Sequence, residues 1–539
     1  MANRSTASGP GEASPLSPLG APAREGFRLR DALLPLAQLG GLASVAFGLL
    51  WLWDFPGVTP LTVWTAPEAA SALQSFAEVT VGVLGVTITV VAIIVELAAN
   101  RYTPRITELF VRDTVNATVM GFYVVTCVLV VWIDVSIGGE VARPTMALAA
   151  MALVTVALLS ILPYFAYVFH FLTPDEVIRR IQLAASRELE SLAQGRSTVE
   201  ETRAAVIRAI EQLGDISMAS VDKKDKPLTL SAVEALAQVA HGSIALKGRL
   251  SDAFFDTRPL VRHDQDFIAL HEDMVHAVAA RRTWVEMKVL RQYQSVFGEA
   301  VNRMRDVNHL IAIHTRRVAL WALENDDIHA RRLAVRFMNT YLRATLNARD
   351  VRSAYNILNE YRLLGEAALE HNDIELAIDI AEYIQFYGQT AFSMQLAFLL
   401  ETAAYDLCMM IEQASRQGAP CHDRLLGIFL ELDREPDADG SPQEASLRGV
   451  RKAQVKLATH YLTLETAEGV AYARRIHRDM RLEKRERLSS IRLELERVQD
   501  PEYWEVSDRG INFEWLAPER RARLATFFAW FDEDAERSA

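Results

Sequence analysis

Four long apolar runs occupy the first third of the chain, at Leu33–Trp53, Val79–Ala99, Thr118–Ile133 and Thr145–Phe171. A helix needs about 20 apolar residues to cross a hydrocarbon core, so each run can span it or nearly so. Four in succession describe a polytopic membrane domain rather than the core helices of a soluble protein. From residue 175 onward the pattern changes. Apolar residues recur every three or four positions, as in Leu358, Tyr361, Leu364 and Leu369, or Ile374, Ala377, Ile378, Ala381 and Ile384. That is the period of amphipathic helices, and strand-like alternation is nearly absent. The predicted fold class is all-α: a four-helix transmembrane domain followed by a large cytoplasmic α-helical domain. One internal echo points to a solenoid. Ala322-Leu323-Glu324-Asn325-Asp326-Asp327-Ile328 resembles Ala368-Leu369-Glu370-His371-Asn372-Asp373-Ile374 at a shift of 46 residues, a period that suits stacked helix pairs. Chance similarity of two acidic helix turns is the competing explanation.

The basic residues orient the spans. Arg4, Arg24, Arg28 and Arg30 precede the first run, and residues 54–78 contain no Lys or Arg. Arg101, Arg105 and Arg112 separate runs two and three, Arg143 alone separates three and four, and Arg179 and Arg180 follow. Cationic residues accumulate on the cytoplasmic side of short loops, which predicts both termini inside a bacterial inner membrane. Trp51, Trp53 and Trp64 then mark the outer interface. Residues 1–27, rich in Ser, Pro, Gly and Ala, read as a disordered cytoplasmic tail. The transmembrane domain is predicted over 28–173, a helical domain over 174–435, and a C-terminal helical region with a small hairpin over 436–539.

Along the second run, Glu78, Gly82, Gly85, Thr89, Ala92 and Glu96 fall on one helical face. A small or polar stripe with a carboxylate near each end has two readings. It is a packing seam, since small residues let helices approach closely, or it lines a conduction path in a homo-oligomer. Thr80 and Thr87 lie off this stripe. Past Asn100, Thr103 and Pro104 form a cap-and-start signal for a short helix carrying Ile106, Leu109 and Phe110. Such a helix suits the inner leaflet, where anionic lipid would neutralise Arg101, Arg105 and Arg112, unless those arginines only set the topology.

The stretch Glu96-Leu97-Ala98-Ala99-Asn100-Arg101-Tyr102-Thr103-Pro104-Arg105, with Phe110, Arg112-Asp113 and Gly121-Phe122 beyond it, resembles the signature of a bacterial family of predicted multi-pass membrane proteins of unknown function. Arg101 departs from the small uncharged residue of that pattern. The resemblance implies a membrane location and carries no activity with it.

Pro163 should kink the fourth span. The span ends near Phe171, and Thr173-Pro174-Asp175-Glu176 reads as a capping box opening the next helix, a short joint between membrane and cytoplasmic parts. Turn signals fall at Asp222–Pro227, Asp256–Pro259, Gly418–Pro420 and Pro436–Pro442. Ser446–Gln499 reads as one or two long charged helices. Tyr503–Val506 and Ile511–Trp515 make the best hairpin candidate, and Pro518 opens a last helix ending in Phe527, Phe528, Trp530 and Phe531.

Composition narrows the chemistry. A net charge of −12 gives no support to nucleic-acid binding. The three cysteines, Cys127, Cys408 and Cys421, fit neither a disulfide framework nor a zinc spacing. His271 and His276, like His309 and His314, are five apart and diverge around a helix, so neither pair shares a metal from one face. Glu435, Asp437 and Asp439 begin like a calcium loop, but Pro442 intrudes and Ser446 stands at the twelfth position. No phosphate-binding glycine loop or nucleophile elbow occurs. No catalytic residue, cofactor or metal is expected. The expected partners are the bilayer, further copies of the chain and a cytoplasmic protein. The leading expectation is an oligomeric channel regulated by its cytoplasmic domain; the alternative is a membrane-anchored scaffold or sensor.

Overall fold

The computed structural model describes residues 66–101, 106–111, 113–137, 144–261, 264–268, 270–433, 444–502, 508–509 and 512–538. The first apolar run, the N-terminal tail and the three interface tryptophans lie outside these residues. Every regular element among the described residues is a helix. The chain divides between Val177 and Ile178 into two compact units.

In the first unit, α1 (Ala66–Arg101), α2 (Ile106–Val111), α3 (Thr114–Ile137) and α4 (Pro144–Phe171) pack together, with α1, α3 and α4 in mutual contact and α2 against α1. Three of these helices are long and apolar enough to cross a membrane, over Gln74–Asn100, Thr114–Trp132 and Ala150–Phe171. Their contact faces bury Val91, Val95, Val130, Ala150 and Val154. Their outer faces leave Val86, Leu97, Trp132, Leu162 and Phe169 exposed. That much open apolar surface is unfavourable in water and is what a lipid-facing surface requires.

In the second unit the chain continues from α5 (Pro174–Ala193) through α6 (Val199–Asp222) and α7 (Lys226–Leu246), then several single turns, to α8 (Glu272–Ala280) and α9 (Trp284–Ala300). Five helices of nearly equal length follow: α10 (Arg305–Glu324), α11 (Ile328–Asn347), α12 (Val351–Glu370), α13 (Ile374–Ser393) and α14 (Ala397–Gln417). Their first residues, 305, 328, 351, 374 and 397, are 23 apart. α15 (His422–Leu430), α16 (Glu444–Thr463), α17 (Ala467–Asp479), α18 (Arg485–Arg497), α19 (Pro518–Ala522) and α20 (Leu524–Ser538) complete the unit. Alternate helices stack: α7, α10, α12, α14 and α16 form one layer, and α9, α11, α13 and α15 a looser second one.

One turn recurs between these helices. Lys224, Asp326, Arg349 and Asn372 each hold positive φ, between 53° and 57°. The aspartate that follows, at 225, 327, 350 or 373, donates its amide to a carbonyl five residues back: Ser220, Ala322, Thr345 or Ala368, at 2.7–2.9 Å. The same aspartate caps the next helix, accepting from the amide of Leu228, Ala330, Ser353 or Leu376 at 3.0–3.3 Å. A reversal of three residues thus satisfies orphan carbonyls behind it and orphan amides ahead. The echoed segments of the sequence contain two of these four turns.

The C-terminal region differs from the sequence expectation. Ser446–Gln499 is neither one nor two helices but three, α16 to α18. α16 stops because Glu465 takes positive φ (53°) and Thr466 caps α17 through the amide of Gly469 at 3.0 Å. A side chain at Gly469 would lie 2.5 Å from the Tyr461 carbonyl. A single turn at Met480–Leu482 separates α17 from α18. α16 packs on α14, and both belong to one unit. Of the hairpin candidate, 503–507 and 510–511 lie outside the described residues, and the positions on either side hold turns with no strand. The acidic loop at 435–442 also lies outside the described residues. Phe527, Phe528 and Trp530 are buried, with Arg474 of α17 3.8 Å above the Trp530 ring.

The segment after α18 crosses back over the second unit. Arg509 pairs with Asp406 at 2.6 Å, both essentially inaccessible to solvent, and its guanidinium covers the Tyr355 ring at 4.0 Å. Phe513 stacks on Tyr405 at 4.7 Å. Arg520 holds Glu412 through two bonds of 2.7 Å. Removing Arg509 leaves the buried Asp406 only its longer contact with Arg362, at 3.6 Å, so Arg509→Ala should cost about 3 kcal/mol, whereas Arg352→Ala at the exposed pair with Asp508 should cost under about 1 kcal/mol. Chemical denaturation of the two variants checks the contrast.

Glu401 of α14 is largely buried. Desolvation, reinforced by Glu514 and opposed by Lys452, lifts its carboxyl from the ordinary 4.5 to about 7. Between those values the folded chain keeps a proton that the unfolded chain has released, so stability falls as pH rises through that window. Glu401→Gln should flatten this slope and raise stability at pH 8 by up to about 3 kcal/mol. Thermal melts at pH 5 and pH 8 read the difference; an unaltered slope would clear Glu401 as its source.

Candidate functional site

Glu78, Gly82, Gly85, Thr89, Ala92 and Glu96 all lie along one side of α1, and all six are exposed. The side turned toward the other helices is a different one, made by Thr80, Thr87, Val91, Val95, Ala98 and Ala99. A Cβ added at Gly82 or Gly85 would meet nothing within 4 Å. Among the described residues, therefore, the stripe is not a seam between α1 and α3 or α4. Thr80 is buried, and its hydroxyl is satisfied within its own helix, donating to the Phe76 carbonyl at 2.7 Å. Thr89 does the same toward Gly85 at 2.8 Å. Gln74 donates to Glu78 at 3.2 Å. Eighteen residues of helix separate the two carboxylates by about 27 Å, close to the roughly 30 Å of a hydrocarbon core. Each carboxylate can therefore reach an interface, while the apolar depth holds only Gly, Thr and Ala on this face.

A second constellation ties α2, α3 and α4 together. Asp113 opens α3: its Oδ2 accepts from the amides of Val115 and Asn116 at 3.1 Å each, and the Tyr167 hydroxyl of α4 donates to the same oxygen. Asn116 donates from Nδ2 to the Phe110 carbonyl at 3.1 Å, and its Oδ1 accepts from the Tyr164 hydroxyl at 2.7 Å. Two turns deeper, the Tyr123 hydroxyl lies 3.0 Å from the Ala157 carbonyl and 2.9 Å from Ser160 Oγ. Phe110 meets Phe171 edge to face at 5.2 Å. Of the family-like segment, Asp113 belongs to this clasp; Thr103, Pro104, Arg105 and Arg112 and the Arg101 side chain lie outside the described residues.

Sequence reasoning overlooked Asn116, Tyr123, Ser160, Tyr164 and Tyr167. The signal was available. Polar residues in an apolar helix face the bundle, and Asn116 and Tyr123 are seven apart, Ser160, Tyr164 and Tyr167 four and three apart.

At the expected joint, α4 ends at Phe171 and α5 begins at Pro174. Thr173 is the N-cap residue, its carbonyl accepting from Val177 at 3.1 Å, while its hydroxyl donates to the His170 carbonyl at 2.8 Å. Glu176 is buried. Pro163 lies inside α4, which continues through it.

The remaining chemistry-bearing residues are dispersed. His271 caps α8 through the amide of Asp273, and His276 sits near Glu272. His309 meets Glu360 at 3.4 Å, whereas His314 is buried near Arg317, its pKa lowered to about 3 by desolvation. Cys408 and Cys421 are buried free thiols and Cys127 is partly buried.

Replacing Asp113 by Ala should cost about 1–2 kcal/mol from the lost cap alone. Because Tyr167 shares its oxygen, Asp113→Ala and Tyr167→Phe together should cost at least about 0.5 kcal/mol less than the sum of the two singles. Melting of the detergent-solubilised variants measures this coupling; strict additivity would argue against the shared bond.

Residues 30–240 match the model of a family described as "Predicted membrane protein (DUF2254)", a family of unknown function. No curated protein matches. A solved structure described as a circular tandem repeat protein with novel repeat topology and enhanced subunit contact surfaces is similar at 14% identity, over 88% of this chain and 98% of that one, with a TM-score of 0.24. A likeness of that size carries no argument.

Proposed function

We infer that this membrane protein is a homo-oligomeric permeation protein of the bacterial inner membrane, with α1 lining a central path and the cytoplasmic helices regulating it. One observation carries the reading: the face bearing Glu78, Gly82, Gly85, Thr89, Ala92 and Glu96 points away from α3 and α4. Around a symmetry axis, small residues at mid-depth would keep the path open and a ring of carboxylates at each mouth would favour cations. The distribution of arginines supports cytoplasmic termini, which puts the Glu96 ring at the inner mouth.

A scaffold or sensor is the second reading, favoured by the regular stack α10 to α14, since stacked helix pairs present extended surfaces to protein partners.

Gly85→Leu and Glu96→Gln separate the readings. In liposomes, Gly85→Leu should cut cation flux at least about tenfold, and Glu96→Gln should reduce cation-over-anion selectivity, with both variants still assembled. Loss of assembly in both would make the stripe an intersubunit seam. Unchanged flux in intact oligomers would remove the pore and leave the scaffold.

A further inference from the structure

Between α8 and α11, in the looser layer of the second unit, lies a cleft of about 110 Å³. Its floor is apolar: Val278, Met287 and Leu333. Its rim is cationic: Arg281, His329, Arg332 and Arg336. His329, Arg332 and Arg336 are spaced three and four apart on α11, with Leu333 between them, so one helical face presents both the floor and most of the rim. All four rim residues are exposed. Arg332 pairs with Glu375 at 2.5 Å. Among the described residues Arg281 and Arg336 form no ion pair, although the whole chain carries a net charge of −12. The adjacent Arg282, at positive φ, turns elsewhere, donating to the carbonyls of Lys247 and Leu250 at 3.0 and 2.5 Å. Arg281 is thereby left to the cleft.

Gathering cations costs free energy. Like charges four apart on a helix, as Arg332 and Arg336 are, repel by roughly 0.2–0.5 kcal/mol. An anion between the guanidinium groups would reverse the sign of that term, and arginine is the side chain suited to forked bonds with phosphate or carboxylate. The floor adds a second requirement. A cavity of about 150 Å³ lined by aliphatic residues holds one benzene, so this cleft admits an apolar body of at most about one ring and excludes an acyl tail.

We propose that the cleft binds a compact organic anion: one phosphomonoester or carboxylate group held by Arg281 and Arg336, on an apolar body seated on Val278, Met287 and Leu333. The site takes a small soluble ligand and is independent of the permeation reading.

Calorimetric titration of the full-length detergent-purified protein tests it, with phenyl phosphate as the probe. Saturable binding at one site per chain is expected, weakened at least about tenfold by Arg336→Gln and by Arg281→Gln. Both positions are exposed, so both variants should melt as the parent does. Inorganic phosphate should bind at least about tenfold more weakly than phenyl phosphate, because it leaves the floor empty. Absence of saturable binding, an affinity indifferent to both substitutions, or equal affinity for inorganic phosphate would each overturn the proposal.

Discussion

A helix that reverses direction leaves four amides at one end and four carbonyls at the other without partners, and a stack of helices must meet this demand at every reversal. At four reversals of the second unit, three of them between α10 and α13, this is done with one residue in the left-handed region and one aspartate; before α14, Gln395 takes the left-handed region without an aspartate after it. The amide of that aspartate closes the outgoing helix and its carboxylate opens the incoming one. Because the connection has little slack, α10 to α14 start at a constant interval, and their alternation between two layers follows from that interval. Buried faces such as Tyr361, Leu364 and Ala368 of α12 are aligned by the turns before any side chain is chosen to fill them.

Charge then closes the structure where periodicity ends. Segment 508–523 has too few apolar residues to hold by burial alone. It is fastened by Arg509 on Asp406, Arg520 on Glu412 and Lys452 on Glu514 at its own edge. Such pairs contribute little net stability relative to apolar substitutes, but they are intolerant of a missing partner. The fold's end is therefore specified by complementarity rather than by hydrophobic area. Glu401 shows the cost of that arrangement: it lies in the same zone with a cation shared among several carboxylates, and it holds its proton almost to neutrality.

Much of this was legible in the sequence, and the remainder has identifiable causes. Three described spans and the helical period after residue 175 follow from patterning that depends on each residue alone. The turns at Asp327 and Asp373 were visible because asparagine or aspartate precedes them. The turn at Asp225 lay inside the turn signal at Asp222–Pro227, although Lys224 itself has no preference for positive φ; that at Asp350 was not visible, because Arg349 has none either and no other turn signal stands beside it. α16 to α18 read as longer helices because the break at Glu465–Thr466 contains no glycine or proline. The clasp around Asp113 escaped since its hydroxyl partners stand 48 and 54 residues from Asn116 and Asp113. The stripe on α1 was found, but periodicity assigns residues to a face and says nothing of which neighbour that face meets.

The constant interval of 23 residues sets a rule for how this chain can change length. Inserting or deleting 46 residues within α10 to α14 returns each later helix to the layer it came from, with the same residues facing inward. A change of 23 would send every later helix to the opposite layer and expose faces built for burial. The array can lengthen or shorten only by pairs of helices, and any site in one layer, such as the cleft beside α11, would be duplicated or lost together with its supporting helix in the other.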